Sequence, residues 1–222
     1  MNVLLFGATG MVGQGVLREC LLDPSVEQVR AVGRTPTGIQ HPKLRETIHR
    51  DLWHYSEIEV DLSGFDACFF VLGVSSAGMK EEAYEHITYG ATMAAAETLC
   101  RINPGMKFIY VSGAGTDSTE RGKSMWARVK GKTENALLHL PFGAAYMFRP
   151  GVIQPLHGAR SKTPVYRIIY TIAKPLLSLL HRAFPNHVLT TVEIGQAMLV
   201  VARRGYSKPI LETADIRAVL SR

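Results

Sequence analysis

The chain has 222 residues, 46% of them hydrophobic, which is enough to close a large core; no Ser/Gly/Pro linker, low-complexity segment or internal repeat divides it, so one domain is expected. The formal charge of +6 is diffuse, with no basic run longer than Arg203-Arg204 and no recognised nucleic-acid motif, so direct nucleic-acid binding is not expected. Cys20, Cys68 and Cys100 are far apart without a CxxC pair, and the histidines show no HxxxH or HExxH spacing, so no metal site is expected; reduced core thiols and the lack of a signal-peptide pattern make the cytoplasm the expected location.

The first apolar run, Val3 to Phe6, meets Gly7-Ala8-Thr9-Gly10-Met11-Val12-Gly13 without a spacer. A buried strand therefore turns directly into a helix. Gly7 permits the tight turn, Gly10 removes a side chain where backbone meets phosphate, and Gly13 lets the helix pack on the strand. Thr9, Met11 and Val12 complete the expected pyrophosphate cradle at the helix N-terminus. The alternative is a glycine-rich turn with no ligand.

The helix predicted over Met11 to Leu22 stops at Asp23-Pro24, and a second strand is predicted over Val26 to Gly33. Arg34 follows it, 21 positions past Gly13, where an acid would bind ribose hydroxyls and a cation suits a 2′-phosphate. NADP(H) is thus preferred over NAD(H), against the alternative of a plain surface arginine. A third strand is predicted over Glu46 to Arg50, then Asp51-Leu52, where the acid is placed to accept from an adenine amino group or to serve as a solvated loop residue. The fourth strand, Asp66 to Leu72, is apolar on both faces and breaks at Gly73-Val74-Ser75-Ser76-Ala77-Gly78, on the side where such sheets bind ligands.

A long helix is predicted over Glu81 to Arg101, with an alanine-rich face, followed by a fifth strand over Lys107 to Ser112. A helix over Lys123 to His139 and a sixth strand over Gly143 to Phe148 lead to the Arg149-Pro150-Gly151 turn. This rhythm predicts an α/β fold, a doubly wound parallel sheet of Rossmann type, with a nucleotide-binding core over 1–150 and a small substrate-covering region over 151–222 that does not fold separately. The stretch Pro164 to Phe184 is apolar but broken by Arg167, Lys174, Pro175 and Arg182, so it does not span a membrane; it reads as a kinked amphipathic helix over the substrate cleft, with a homodimer surface or a peripheral membrane anchor as alternatives. A helix over Val192 to Arg203 follows, and Pro209 to Leu220 is expected to add an edge strand and a last short helix.

Together GATGMVGQG, VGR after the second strand, VSGAG after the fifth, WARVKGKTE on the next helix and FRPGVIQP after the sixth resemble the atypical or extended short-chain dehydrogenase/reductase superfamily, over essentially the whole chain. They are most similar to the small NAD(P)-binding epimerase/dehydratase-like proteins, including the TAT-interacting oxidoreductase-like group. The resemblance implies a catalytic serine at Ser112, a ribose-binding lysine at Lys130, and a tyrosine four residues before the lysine; that position is Trp126. Residues i and i+4 share a helix face, so the lysine can lower the tyrosine pKa, but an indole cannot titrate near neutral pH. Tyr84, Tyr89 and Tyr110 are alternative proton donors, as is water. The resemblance also places Pro150, Gly151 and Val152 beside the cofactor and Gln154, His157 and Arg160 near the substrate; the loop position after the fourth strand puts Gly73 and Val74 at the cofactor and Ser75 at the substrate, where Trp126 is also expected. The expected function is an NADP(H)-dependent oxidoreductase or epimerase-like enzyme on a small carbonyl or alcohol; the alternative is a non-catalytic NADP(H)-sensing regulator acting through a protein partner.

Overall fold

The computed structural model describes residues 1–160, Leu180 and 187–221. The segments β1 (Asn2–Phe6), β2 (Gln28–Gly33), β3 (Leu44–Ile48), β4 (Ala67–Phe70), β5 (Lys107–Val111), β6 (Ala144–Arg149) and β9 (Ile210–Glu212) form one sheet in the order β3-β2-β1-β4-β5-β6-β9. Every pairing in it is parallel. The doubly wound α/β sheet expected from the sequence is therefore present. Its order reverses between β1 and β4, which opens a crevice at the carboxyl ends of those strands.

Strand alternation builds the two core layers. In β1, Val3 and Leu5 point into one cluster, while Leu4 and Phe6 point into the other. On the first side lie helices α1 (Met11–Leu22), α6 (Thr191–Arg204) and α7 (Thr213–Leu220), contributing residues such as Val16, Met198 and Ile216. On the second lie α4 (Ala91–Ile102) and α5 (Met125–His139), through Leu99 and Leu137. Both faces are covered, which is why the strands read as continuous apolar runs rather than alternating ones.

Two close approaches fix α1. A Cβ on Gly13 would lie 2.0 Å from the Gly7 carbonyl oxygen, so glycine alone lets the helix begin against the strand. Farther along, a Cβ on Gly15 would lie 2.5 Å from Thr191 Cβ, which brings α6 against the same helix. The Thr190 hydroxyl accepts from the Glu193 N–H at 3.1 Å and the Glu193 carboxylate from the Thr190 N–H at 2.7 Å, so α6 starts with a capping box.

Several boundaries differ from the sequence reading. Strand β3 spans Leu44–Ile48 rather than Glu46 to Arg50, so Arg50 leaves the sheet. The long helix is interrupted by a π turn over His86–Gly90 between α3 (Glu81–Glu85) and α4. Trp53 stacks on His86 there at 5.0 Å, and Gly90 leaves room for the indole. A short helix, α2 (Glu59–Leu62), and a second parallel pair, β7 (Val152–Gln154) with β8 (Val188–Thr190), were not foreseen. The edge strand and last helix expected at the end of the chain are β9 and α7. The stretch Pro164 to Phe184, and with it the expected lid, dimer surface or anchor, falls outside the described residues apart from Leu180. Among those described, no helix is long and apolar enough to cross a membrane.

The Gly13 contact gives a direct test. Gly13→Ala is expected to cost at least about 3 kcal/mol, at the upper end of overpacking penalties, because the obstructing atom is backbone. Gly105→Ala, where an added Cβ meets nothing within 4 Å, serves as a control expected to change stability by less than about 0.5 kcal/mol. Urea unfolding of the two variants measures both.

Candidate functional site

The crevice holds two clefts, and the chain leaving β4 contributes to each in turn, Leu72 to the first and Val74, Ser75 and Ser76 to the second. The first, about 410 Å³, runs from Gly7, Ala8 and Thr9 past Leu72 and Leu52 to Gly33, Arg34 and Arg50. At its closed end Gly7 has φ +86°, and a Cβ there would lie 2.7 Å from Leu72 N. Helix α1 has Gly10 as its N-cap with no side-chain cap; the Gly10 N–H donates to Gly7 O at 2.9 Å, and the first turn that follows carries the positive end of the helix dipole next to the glycine turn that lines the cleft. Gly10, Met11, Val12 and Gly13 form that first turn. An anion-binding glycine turn at one end and guanidinium groups at the other fit an adenine dinucleotide.

The second cleft, about 420 Å³, is lined by Val74, Ser75, Ser76, Tyr84, Ser112, Trp126 and Lys130. Trp126 and Lys130 share one face of α5, and the indole edge packs 3.5 Å from where a Gly115 Cβ would stand. The Lys130 ammonium donates to the Ser112 carbonyl at 2.5 Å and sits 5.9 Å from the centre of the Tyr110 ring. Burial pulls its pKa down to about 8, with the Glu134 carboxylate acting in the opposite direction. Of the three tyrosines, only Tyr84 lines this cleft among the described residues. Tyr84 and Tyr110 are both buried, at 2% and 1% exposure, so it is the cleft lining and not burial that separates them, while Tyr89 packs under Lys132 at 4.7 Å. Burial raises the Tyr84 phenol above its ordinary value, so it stays protonated through neutral pH.

The Ser112 hydroxyl is bonded within the protein. It donates to the buried carboxylate of Glu134 at 2.5 Å and lies 3.2 Å from the Phe148 carbonyl. Glu134 is 0% exposed and accepts from Arg149 Nε at 3.1 and 3.2 Å and from its Nη2. Arg149 also donates to Glu212 at 3.1 Å and to the Ser118 hydroxyl at 2.5 Å. This network ties the end of β5 to α5, β6 and β9. Glu134 and Arg149 were missed in the sequence; the usable signal was spacing, because Glu134 follows Lys130 by one helical turn on the same face.

The remaining expected residues are placed as follows. Asp51 accepts from Trp53 N–H at 2.9 Å and pairs with His54 at 2.8 Å, and its carboxyl is held low first by that backbone bond. It is Leu52, not Asp51, that lines the first cleft. The Pro150 carbonyl accepts from Ala114 N–H at 2.9 Å, Gly151 N–H donates to Thr213 at 2.8 Å, and Val152 opens β7, which fixes the turn beyond β6. Gly73 and Val74 begin the exposed loop between the clefts. Gln154 is buried in β7, and His157 stands exposed at the tip of a turn with φ +52°; neither lines the second cleft as described. The backbone of Arg160 reaches the glycine turn through Gln14, whose side-chain amide donates to Thr9 O at 3.0 Å and Arg160 O at 3.1 Å. Gln14, too, was not anticipated.

No family model matches the chain. It is 27% identical over 212 residues to "Protein FMP52-2, mitochondrial" of Scheffersomyces stipitis, covering 94% of this chain and 88% of that protein. Among solved structures, the Bordetella bronchiseptica enzyme WbmF in complex with NAD+ matches with a TM-score of 0.67 at 16% identity, covering 98% of this chain and 76% of that one. An oxidoreductase of the short-chain dehydrogenase/reductase family from Burkholderia thailandensis matches with a TM-score of 0.67 at 15% identity, covering 100% and 93%. A UDP-N-acetylglucosamine 4-epimerase from Methanobrevibacter ruminantium M1 matches with a TM-score of 0.69 at 17% identity, covering 95% and 75%. The fold is thus shared with epimerases and with the superfamily that the sequence resembles.

The relatives correct the expected location. FMP52 proteins from several further organisms are also named mitochondrial, which overturns the cytoplasmic expectation. The thiols that suggested it are buried core residues, and such residues suit any reducing compartment.

Two measurements test the buried network. Glu134→Ala is expected to destabilise the protein by about 3–5 kcal/mol in urea unfolding, because it strands the Arg149 charge. In the wild type, NMR of reductively methylated lysines is expected to show one amine titrating near pH 8, against about 10.4 for an ordinary lysine. The cleft therefore loses a positive charge as pH rises through 8.

Proposed function

We propose that the protein is an NADP(H)-dependent oxidoreductase, or an epimerase-like enzyme, acting on a small carbonyl compound or alcohol. One observation carries the reading: the glycine turn and Arg34 line one cleft, Lys130 and Trp126 line another, and the chain leaving β4 passes from the first, at Leu72, to the second, at Val74 to Ser76. A bound nicotinamide dinucleotide would supply the hydride chemistry. The chain supplies the binding groups and the proton. The α1 N-terminus and the glycine turn hold the pyrophosphate, Arg34 the adenosine 2′-phosphate, and Lys130 the nicotinamide ribose.

Trp126 cannot exchange a proton, so the donor must come from elsewhere in the second cleft. Tyr84 is the phenol in place. Its raised pKa makes it a proton donor during carbonyl reduction, with the proton passing to the substrate oxygen and later being replaced from water. Ser75 and Ser76, on the loop facing it, are hydrogen-bond partners for a polar substrate.

A second reading has its own support. The Ser112 hydroxyl is committed to Glu134 and the usual tyrosine is an indole, which favours a non-catalytic NADP(H)-sensing regulator. Turnover separates the two. NADPH oxidation with a panel of aldehydes, ketones and quinones is expected for the wild type, to be lost in Lys130→Ala, and to fall at least tenfold in Tyr84→Phe. Turnover appearing only in Trp126→Tyr would support the regulator instead. NADPH titration is expected to show at least tenfold tighter binding than NADH.

A further inference from the structure

The first cleft contains a second guanidinium that the reading above does not use. Strands β2 and β3 end side by side, with Gly33 opposite Ile48 and His49 N–H donating to Gly33 O at 2.9 Å. Arg34 follows Gly33 directly and Arg50 lies two residues past Ile48, so the two leave the ends of neighbouring strands. Both line the cleft that begins at the glycine turn. Both are exposed, and neither has a hydrogen bond or ion pair among the described residues.

One carboxylate shares this end of the cleft. Glu46 lies on the same face of β3 as Ile48, and its Oε1 accepts from Thr37 N–H at 2.7 Å. Glu46 is thereby held toward the Thr35–Thr37 chain and makes no ion pair with either arginine among the described residues. Two guanidinium groups against one carboxylate leave this end of the cleft with a net positive charge. A phosphomonoester, which carries close to two negative charges at neutral pH and offers three acceptor oxygens, offsets that charge and matches two planar guanidinium forks. A ribose 2′-hydroxyl would satisfy neither.

We propose that Arg50 is a second specificity-determining residue, which with Arg34 clamps the 2′-phosphate of NADP(H) between the ends of β2 and β3. The proposal rests on the reading of the crevice as a dinucleotide site. It extends that reading by a residue from a different strand, so that phosphate recognition is shared and not assigned to Arg34 alone. It also predicts that an adenosine 2′-phosphate fragment binds without the nicotinamide half.

The test is calorimetric titration of the full chain and of Arg34→Ala, Arg50→Ala and Arg50→Lys with NADP+, NAD+ and 2′,5′-ADP. Arg50→Ala is expected to weaken NADP+ and 2′,5′-ADP about tenfold or more, while leaving NAD+ within about twofold. Arg50→Lys, which keeps the charge but not the fork, is expected to fall between wild type and Arg50→Ala. The affinity of the wild type for NADP+ is expected to fall more steeply with salt than that of Arg50→Ala. An equal loss for NADP+ and NAD+, or no loss while Arg34→Ala discriminates, overturns the role of Arg50. Equal wild-type affinity for NADP+ and NAD+ overturns the clamp but leaves a dinucleotide site, whereas no binding of any of the three removes the dinucleotide reading itself. Thermal unfolding of each variant checks that these exposed positions leave the fold intact.

Discussion

An isolated carboxylate buried as deeply as Glu134 would cost several kcal/mol, and the protein offsets that cost with Arg149, which donates to both of its oxygens. The Ser112 hydroxyl adds a further bond to Oε1. Arg149 is in turn satisfied by Glu212 and Ser118. Such a pair adds little net stability over an apolar pair, but removing either member strands a charge. Its consequence is positional. The end of β5, the inner face of α5 and the edge strand β9 are held to one another at the rim of the crevice, and Lys130 sits one turn from Glu134 on the same helix. The position of the lysine follows from this arrangement, whereas its lowered pKa comes from burial, which the Glu134 carboxylate opposes.

The other rim is set by backbone rather than by charge. With no Cβ at Gly7 or Gly13, α1 begins directly against β1, and its unbonded N–H groups face the place where the sheet order reverses. The positive end of α1 and the exposed cations Arg34 and Arg50 then lie toward opposite ends of one cleft, while Lys130 lies in the other. That distribution accounts for part of the formal charge of +6 without any basic run in the sequence. It is a pattern suited to an elongated ligand carrying several phosphates.

What the sequence disclosed was local. The glycine spacing, the strand runs buried on both faces, Arg34 at a strand end and the i, i+4 relation of Trp126 and Lys130 depend on neighbours within a turn or a strand, so periodicity reveals them. The missed features depend on residues distant in the chain. Glu134 reads as the polar face of an amphipathic helix until β6 delivers Arg149 to it. Arg50 was assigned to the end of a strand, and only the pairing of Gly33 with Ile48 brings it beside Arg34. Gln14 looks like an exposed helix residue, yet its amide joins the glycine turn to Arg160, far along the chain. Ser112 shows the converse: its position in the sequence was right for the resemblance, but its hydroxyl turns inward to a carboxylate that no local pattern announced.

The separation of binding from proton transfer has a structural basis in the helix pair α3 and α5. In the family pattern the donor and the lysine stand on one helix, so a single element sets their distance. Here the proposed donor, Tyr84, stands on α3, and its distance from Lys130 depends on how that helix docks. Two ion pairs flank it: Glu81 with Arg128, at 2.6 Å, and Glu85 with Lys132, at 2.5 Å. Both are partly exposed, and pairs of that kind contribute little to stability. They do fix register, because Glu81 and Glu85 are one turn apart and so are Arg128 and Lys132, giving α3 two matched attachments along α5 on either side of Tyr84. In the proposed reaction, a charge pattern between two helices therefore does the positioning that one helix does in the family. The proposed pyrophosphate and adenosine contacts, built on backbone and strand ends, are independent of it.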